Sequence, residues 1–337
     1  MKRIPIKWIP LIVTTTRLVS SSALNSNMAQ KSIKEICRKP PAHWVGDGFN
    51  VFPVFANKAF TSELSPFLMF DYAAPKVFPP STSSKRRGVG QHPHRGFETV
   101  TIAFQGEIEH RDSTGNSGVI GPGDVQWMTA AKGIIHEEFH STKFSAQGGV
   151  FEMCQLWVNL PSDKKMVEPK YQPILNKDIP KVPLPSISKS GGVDNGVCTD
   201  NDKDGWVRVI AGDFNGTKGP AKTFTTVNLW DIGLTKKDKE FELVFEEGHN
   251  TLVFVRRGGV EVQGKALNLA DVAIMEKAGR KLTVKSTQDD TSLLILSGEP
   301  IDEPIAARGP FVMNTNAELS EAMRDYQFGM NGFNHFD

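Results

Sequence analysis

The chain is short of cysteine, of uninterrupted apolar runs and of any excess of charge. Cys37, Cys154 and Cys198 are its three cysteines; they are far apart and never in C-x-x-C spacing. That argues against a disulfide framework or a cysteine zinc site and predicts reduced, intracellular thiols. The first apolar run is broken by Lys7, and it is too short to span a bilayer. Lys and Arg number 39 against 38 Asp and Glu, a net charge of +1, so no bulk field favours nucleic acid or an anionic membrane. The amino-terminal 34 residues contain no acidic residue at all.

What is present is the composition of a globular protein, 39% hydrophobic and 23% charged. Thirty glycines and twenty-one prolines predict many turns and a β-rich fold. With 337 residues the chain has room for two domains. Residues 1–31 read as an extension. Lys2, Arg3, Lys7 and Arg17 with Thr14–Thr16 and Ser20–Ser22 make a composition typical of an organelle transit peptide. A secretory signal with Ile9–Val13 as its apolar part, and a plain extension ahead of Met28, are the other readings. Residues 32–165 form a first globular unit. Residues 166–204 form a connector, with five prolines in its Met166–Pro185 part and a Gly/Asp-rich loop at Gly191–Asp204. Residues 205–337 repeat the strand density of the first unit. Strands are expected at Phe49–Phe55, Leu64–Tyr72, Thr99–Phe104, Glu107–Arg111, Val125–Met128, Ile134–Phe139 and Val150–Leu160, and later at Trp206–Ala211, Thr223–Leu229 and Thr251–Arg256. Glu318–Asp325 is the clearest helix, with Thr315 or Asn316 as its N-cap. The expected architecture is all-β, two antiparallel barrels or sandwiches in tandem with a short C-terminal helix.

The chemistry concentrates in Gln91–His140, which holds His92, His94, His110, His136 and His140, five of the eight histidines. On a strand, residues i and i+2 face the same side. His92 and His94 therefore share a face, as do His136 and Glu138, with Glu137 turned outward. Three imidazoles and one carboxylate on two strands make a mononuclear metal site that suits Fe(II), with Mn, Ni, Cu or Co allowed by geometry. Phe97, Ile102, Phe104, Trp127, Met128 and Phe139 are its expected apolar walls. A lone strand histidine is more often plain surface or core, but two such pairs so close together favour ligation. His110 is expected at the surface or behind a ligand, and His140 beyond the strand end. Glu98 is a further carboxylate near the pair. The basic triplet Lys85, Arg86 and Arg87 in the preceding loop reads first as solvated surface.

The residues carry a resemblance. His92, His94, Glu98 and Gly106 resemble the first cupin motif, and Gly121-Pro122-Gly123-Asp124 with His136 resembles the second. The finer similarity is to the pirin family, through HPHRGFETVTIAFQGEIEHRDSTGNSGVIGPGDVQWMTAAKGIIHEEFH and also LSPFLMFDY (64–72), QLWVNLP (155–161), MVEPKYQ (166–172) and GPFVMNTNAEL (309–319). It covers about residues 32–335. The resemblance implies two tandem cupin (jelly-roll) β-barrels, with one iron held by His92, His94, His136 and Glu138 in the first and none in the second. A general cupin would use Glu98 as a ligand; a pirin takes its carboxylate from the H-x-E pair. The amino-terminal extension departs from the family pattern.

The resemblance implies a quercetin 2,3-dioxygenase, opening a flavonol or related aromatic enediol with O₂ and releasing carbon monoxide. Glu138 is then ligand and base, with Glu98 as the reserve base. The alternative is an iron-dependent redox-sensing co-regulator that meets a transcription-factor partner, with Lys85–Arg87 as the loop that serves it. A storage cupin with a vestigial site is the third reading. The expected partners are a small aromatic molecule and O₂, with no direct nucleic acid and no membrane. The expected state is a monomer in cytoplasm or nucleus, or in an organelle if residues 1–27 are a transit peptide.

Overall fold

The computed structural model describes residues 29–81, 83, 85–184, 186–187 and 204–336. Nearly all of the amino-terminal extension, and most of the Gly/Asp-rich loop expected at 191–204, lie outside the described residues. The first half forms β1 (Ile33–Cys37), β2 (His43–Val45), β3 (Phe49–Pro53), β4 (Phe67–Phe78), β5 (Gly88–His94), β6 (Phe97–Gln105), β7 (Ile108–Asp112), β8 (Ser117–Ile120), β9 (Val125–Thr129), β10 (Ile134–His140), β11 (Gly149–Asn159), β12 (Lys170–Ile174) and β13 (Lys181–Pro183). The second half forms β14 (Gly205–Ala211), β15 (Asp213–Phe214), β16 (Thr217–Lys218), β17 (Val227–Leu234), β18 (Glu240–Val244), β19 (Asn250–Arg257), β20 (Gly259–Val262), β21 (Lys265–Asn268), β22 (Val272–Met275), β23 (Lys281–Ser286), β24 (Thr291–Gly298), β25 (Ala306–Arg308) and β26 (Phe311–Met313). Among the described residues two α-helices, α1 (Thr142–Gln147) and α2 (Asn316–Gln327), accompany the strands. None of the described helices is long and apolar enough to cross a membrane.

Each half folds a seven-stranded sheet over a four-stranded one. The order is β12-β9-β6-β11-β4-β3-β2 over β5-β10-β7-β8 in the first, and β1-β22-β19-β24-β17-β14-β13 over β18-β23-β20-β21 in the second. These are the two tandem cupin barrels that the sequence led us to expect. Strand alternation divides the side chains. On β6, Val100 and Ile102 enter a core shared by both barrels, while Thr101 points into the first barrel towards β10. Phe70 and Tyr72 of β4 and Leu156 and Val158 of β11 join the same shared core, opposite Phe254 and Leu252 of β19. Burying each such side chain contributes about 1.5–3 kcal/mol, and this continuous layer is what joins the barrels.

Hydrogen bonding and packing carry three segments across the boundary between the two halves. β1 pairs with β22, so the first strand belongs to the edge of the second barrel's sheet. β13 likewise pairs with β14. The segment from β25 to the C-terminus follows the second barrel in sequence but packs on the first. Ile135 of β10 shares a cluster with Phe311, Met313, Leu319, Ala322 and Phe333. Arg95 and Phe311 form a parallel bridge, and the Val312 amide donates to the Arg95 carbonyl at 3.0 Å. Gly96 makes this approach possible: at φ +89° an added Cβ would collide with the Val312 carbonyl oxygen. The buried Arg95 guanidinium meets the buried Asp325 carboxylate of α2 at 2.8 Å. Beside them the buried Lys165 ammonium donates to the Gly96 and Val312 carbonyls and to Asn159 Oδ1.

α2 starts as expected. Thr315 is its N-cap and closes a capping box with Glu318. α1 was not expected; at six residues it is too short to show a period, and its signal is the Ser141 N-cap, whose Oγ accepts from the Phe144 amide. The strand expected at Thr223–Leu229 lies at Val227–Leu234. Asp231 hides it from a hydrophobicity reading: the residue is buried inside the strand and ion-paired with Arg208 at 3.0 Å.

Candidate metal centre

The site begins with the pairing of β5 and β10. His92 lies opposite His136 and Ile134 opposite His94, but Glu138 lies opposite Val89. Three steps on β5 thus match two on β10, an irregularity that accommodates Gly90 and Gln91. The His92 Nδ1–H donates to the Gly90 carbonyl at 2.8 Å, inside that irregularity, which turns Nε2 outward from the strand. The ring centroids of His92, His94 and His136 lie 4.2–4.8 Å apart. One nitrogen from each falls within 4.8 Å of the others.

The donor set fits a metal ion on the protein's own evidence. His94 Nδ1 and His136 Nε2 are buried and have no hydrogen-bond partner among the described residues. A buried polar atom without a partner costs stability, and a bound ion would supply that partner. Burial first, and then the neighbouring imidazoles, hold the His94 and His136 pKa well below the usual value. The rings are therefore neutral, the form that binds a metal. His94 is wedged against Phe97 and Trp157, with ring centroids at 5.1 and 5.0 Å.

Glu138 lines the same cavity as His92 and His94. Its Oε2 accepts from Gln155 Nε2 at 2.9 Å and its Oε1 from Thr101 Oγ1 at 3.3 Å. Glu137, one step away, faces outward between Arg86 and Arg111. His110 is buried behind the site, on β7 beside β10. Its Nε2–H donates to Asp112 at 3.0 Å, and its Nδ1 accepts from the Gln126 amide at 3.1 Å and faces His136 Nδ1 at 3.5 Å. His140 is also buried, bonded to the Gly48 carbonyl and stacked on Phe151, apart from the three grouped histidines.

Two expectations are corrected. Glu98, the reserve base, lies on β6 with its side chain turned to Thr129, whose hydroxyl donates to it at 2.7 Å. It shares the face of Val100 and Ile102, away from Thr101 and the cavity, because even-numbered positions of β6 look toward the other barrel. Burial pushes its pKa up to about 7. The expected walls also shift. Ile102 and Trp127 belong to the inter-barrel core, Phe104 lies under Arg256, and Phe139 lies under Arg86. Met128 packs with Ala130 and Ile134 in a cluster of its own. Only Phe97 keeps its place, against His94. The cavity, about 410 Å³, is instead walled by Val45, Phe49, Val51, Met69, Met153 and Trp157, with Asp71 and Gln155 as added polar groups. Alternation along LSPFLMFDY and QLWVNLP carried that signal: Met69 and Asp71 share one face of β4, and Gln155 and Trp157 one face of β11. The basic triplet is engaged within the protein, Lys85 with Asp47, Arg86 with Glu109, and Arg87 over Phe78.

Comparison with known proteins agrees with this geometry. The Pirin family pattern matches residues 48–158, and the pirin C-terminal cupin domain pattern matches residues 229–332. A Pseudomonas aeruginosa protein named "Putative quercetin 2,3-dioxygenase" is 49% identical over 287 residues, covering 85% of this chain and 93% of that protein. Human pirin is 33% identical over 275 residues, covering 80% of this chain and 84% of that one. The crystal structure of a quercetin 2,3-dioxygenase from Acinetobacter baumannii, 47% identical, covers 89% of this chain and 98% of its own with a TM-score of 0.80. With both cupin domains matched and its histidine cluster assembled in the first of them, the chain belongs to the pirin family.

Proposed function

We propose that this protein is a metal-dependent dioxygenase of the quercetin 2,3-dioxygenase type, holding one Fe(II) on His92, His94, His136 and Glu138. The observation that carries the reading is the grouping of His92, His94 and His136, one ring nitrogen of each within 4.8 Å of the others, beside a largely apolar cavity of about 410 Å³ that His92, His94 and Glu138 line. That size suits a drug-sized ligand with a few placed polar groups. Relatives that carry the quercetin 2,3-dioxygenase name support the substrate class.

When bound, the metal supplies a Lewis-acid and one-electron centre for the reaction of a flavonol with O₂. The chain's own residues do the rest. Glu138 receives the proton of the flavonol 3-hydroxyl on a carboxylate oxygen, a task that needs a base within hydrogen-bond reach. Gln155 and Thr101 hold that carboxylate by hydrogen bonds. Trp157, Met153, Val51 and Phe49 line the cavity and exclude bulk water from the aromatic ring system. The His92 bond to Gly90 and the His136 approach to His110 fix the ring orientations.

The test is metal analysis of the purified protein followed by oxygen uptake with quercetin. Stoichiometric metal with quercetin-dependent uptake is expected, and His136→Ala loses both. Full metal occupancy with no uptake on quercetin or on a panel of related phenols overturns the reading.

A further inference from the structure

One carboxylate of the cavity has no part in the reaction described so far. Asp71 sits on β4, in register with Gln155 of β11, and lines the cavity with Met69, Val51 and Met153. Gln155 has nothing left to offer it. One Gln155 amide hydrogen goes to Glu138 and the other to Thr101, while its carbonyl accepts from the Trp157 indole. Burial pushes the Asp71 pKa up to about 6, and the nearby His43 works the other way without a hydrogen bond. The cavity wall therefore presents a half-buried acceptor among apolar side chains, with no hydrogen-bond donor among the described residues. Water can serve such a group, but a ligand that displaces the water must replace its hydrogen bond.

We propose that Asp71 is a specificity-determining residue: its carboxylate accepts a hydrogen bond from a ring hydroxyl of the bound phenol other than the one served by Glu138. The substrate class is then a flavonol, or a related aromatic enediol, that carries at least one further hydroxyl. The identity of the ligand rests on the dioxygenase reading of the site. A site built to bond a hydroxyl discriminates strongly against the analogue that lacks it, because the acceptor is left buried and unpaired.

The experiment separates the two ideas. Metal-loaded wild type, Asp71→Leu and Asp71→Asn are titrated without oxygen with quercetin and with 3-hydroxyflavone, which lacks the further hydroxyls. Metal content and oxygen uptake are measured in parallel. Wild type is expected to bind quercetin at least about tenfold more tightly than 3-hydroxyflavone. Asp71→Leu is expected to weaken quercetin about tenfold to a hundredfold, leave 3-hydroxyflavone within about twofold, and keep its metal. Asp71→Asn falls between, and it carries the same comparison if the Leu variant fails to fold. Equal effects on both flavonols, no effect on quercetin, or a wild type that binds neither overturns the Asp71 assignment. Discriminated binding without any oxygen uptake overturns the dioxygenase reading alone.

Discussion

His136 and His110 face each other through their Nδ1 atoms, 3.5 Å apart on neighbouring strands. Because His110 donates from Nε2 to Asp112, its Nδ1 is an acceptor, whose single lone pair is shared between the Gln126 amide at 3.1 Å and the longer approach of His136 Nδ1–H at 3.5 Å. His136 is thereby held as the tautomer whose Nε2 lone pair is free for a metal. Asp112 is itself anchored by the Thr114 hydroxyl and the Thr114 and Asn116 amides. Removing this support with His110→Leu is expected to weaken metal binding about tenfold to a hundredfold. Competition with a chelator measures it, with Leu chosen to keep the buried volume filled.

Glu138→Gln keeps the shape of the carboxylate and removes its basicity. Oxygen uptake with quercetin is expected to fall at least about a hundredfold, the usual scale of a lost general base. The three imidazoles remain, so part of the metal is expected to stay. Metal content and turnover measured on the same sample decide whether the two roles assigned to Glu138 belong together.

The Arg95–Asp325 pair ties the C-terminal helix to the strand turn next to His94. Burial works against the Asp325 carboxylate, but hydrogen bonds from Asn331 and Arg95 and the Arg95 charge outweigh it and lower its pKa. A carboxylate whose folded pKa lies below its unfolded value stabilises the fold at pH above about 4 and loses that contribution as pH falls through the folded value. Unfolding by urea is therefore expected to become easier in acid. Asp325→Asn is expected to cost about 3 kcal/mol at pH 7, leaving the Arg95 charge buried without its partner, and to flatten the acid limb. Stability curves at neutral and acid pH check both.

Gly96→Ala tests the same junction through the backbone. The new Cβ would strike the Val312 carbonyl at a φ that L residues rarely adopt. A loss of about 1–3 kcal/mol in thermal or urea unfolding is expected. Proteolysis is expected to start in the released segment after residue 305.

Much of the site was legible because β-strand alternation is a local rule. H-x-H on one strand and H-x-E on another sort their side chains to one face whatever lies around them. The same rule misplaced the walls, because it says which residues share a face and not what that face meets. Ile102 and Trp127 alternate as a cavity wall would, yet their face is covered by the second barrel. Glu98 failed for that reason too. Asp71 and Gln155 were missed because polar residues in otherwise apolar strands look like interruptions until a cavity explains them.

The sequence by itself determined the all-β class, the tandem barrels, the pirin resemblance and the three histidines that group, His92, His94 and His136. These follow from short-range pattern: turn residues, period-two alternation and motif spacing. Only the tertiary structure decided that β1 completes the second barrel, that the C-terminal segment returns to brace the first, and that Asp71 shares a cavity with the histidines. Those facts depend on contacts between residues far apart in the chain. Pairing edges such as β1 with β22, and buried ion pairs such as Arg95 with Asp325, are chosen by the global packing of two barrels, which no local spacing encodes.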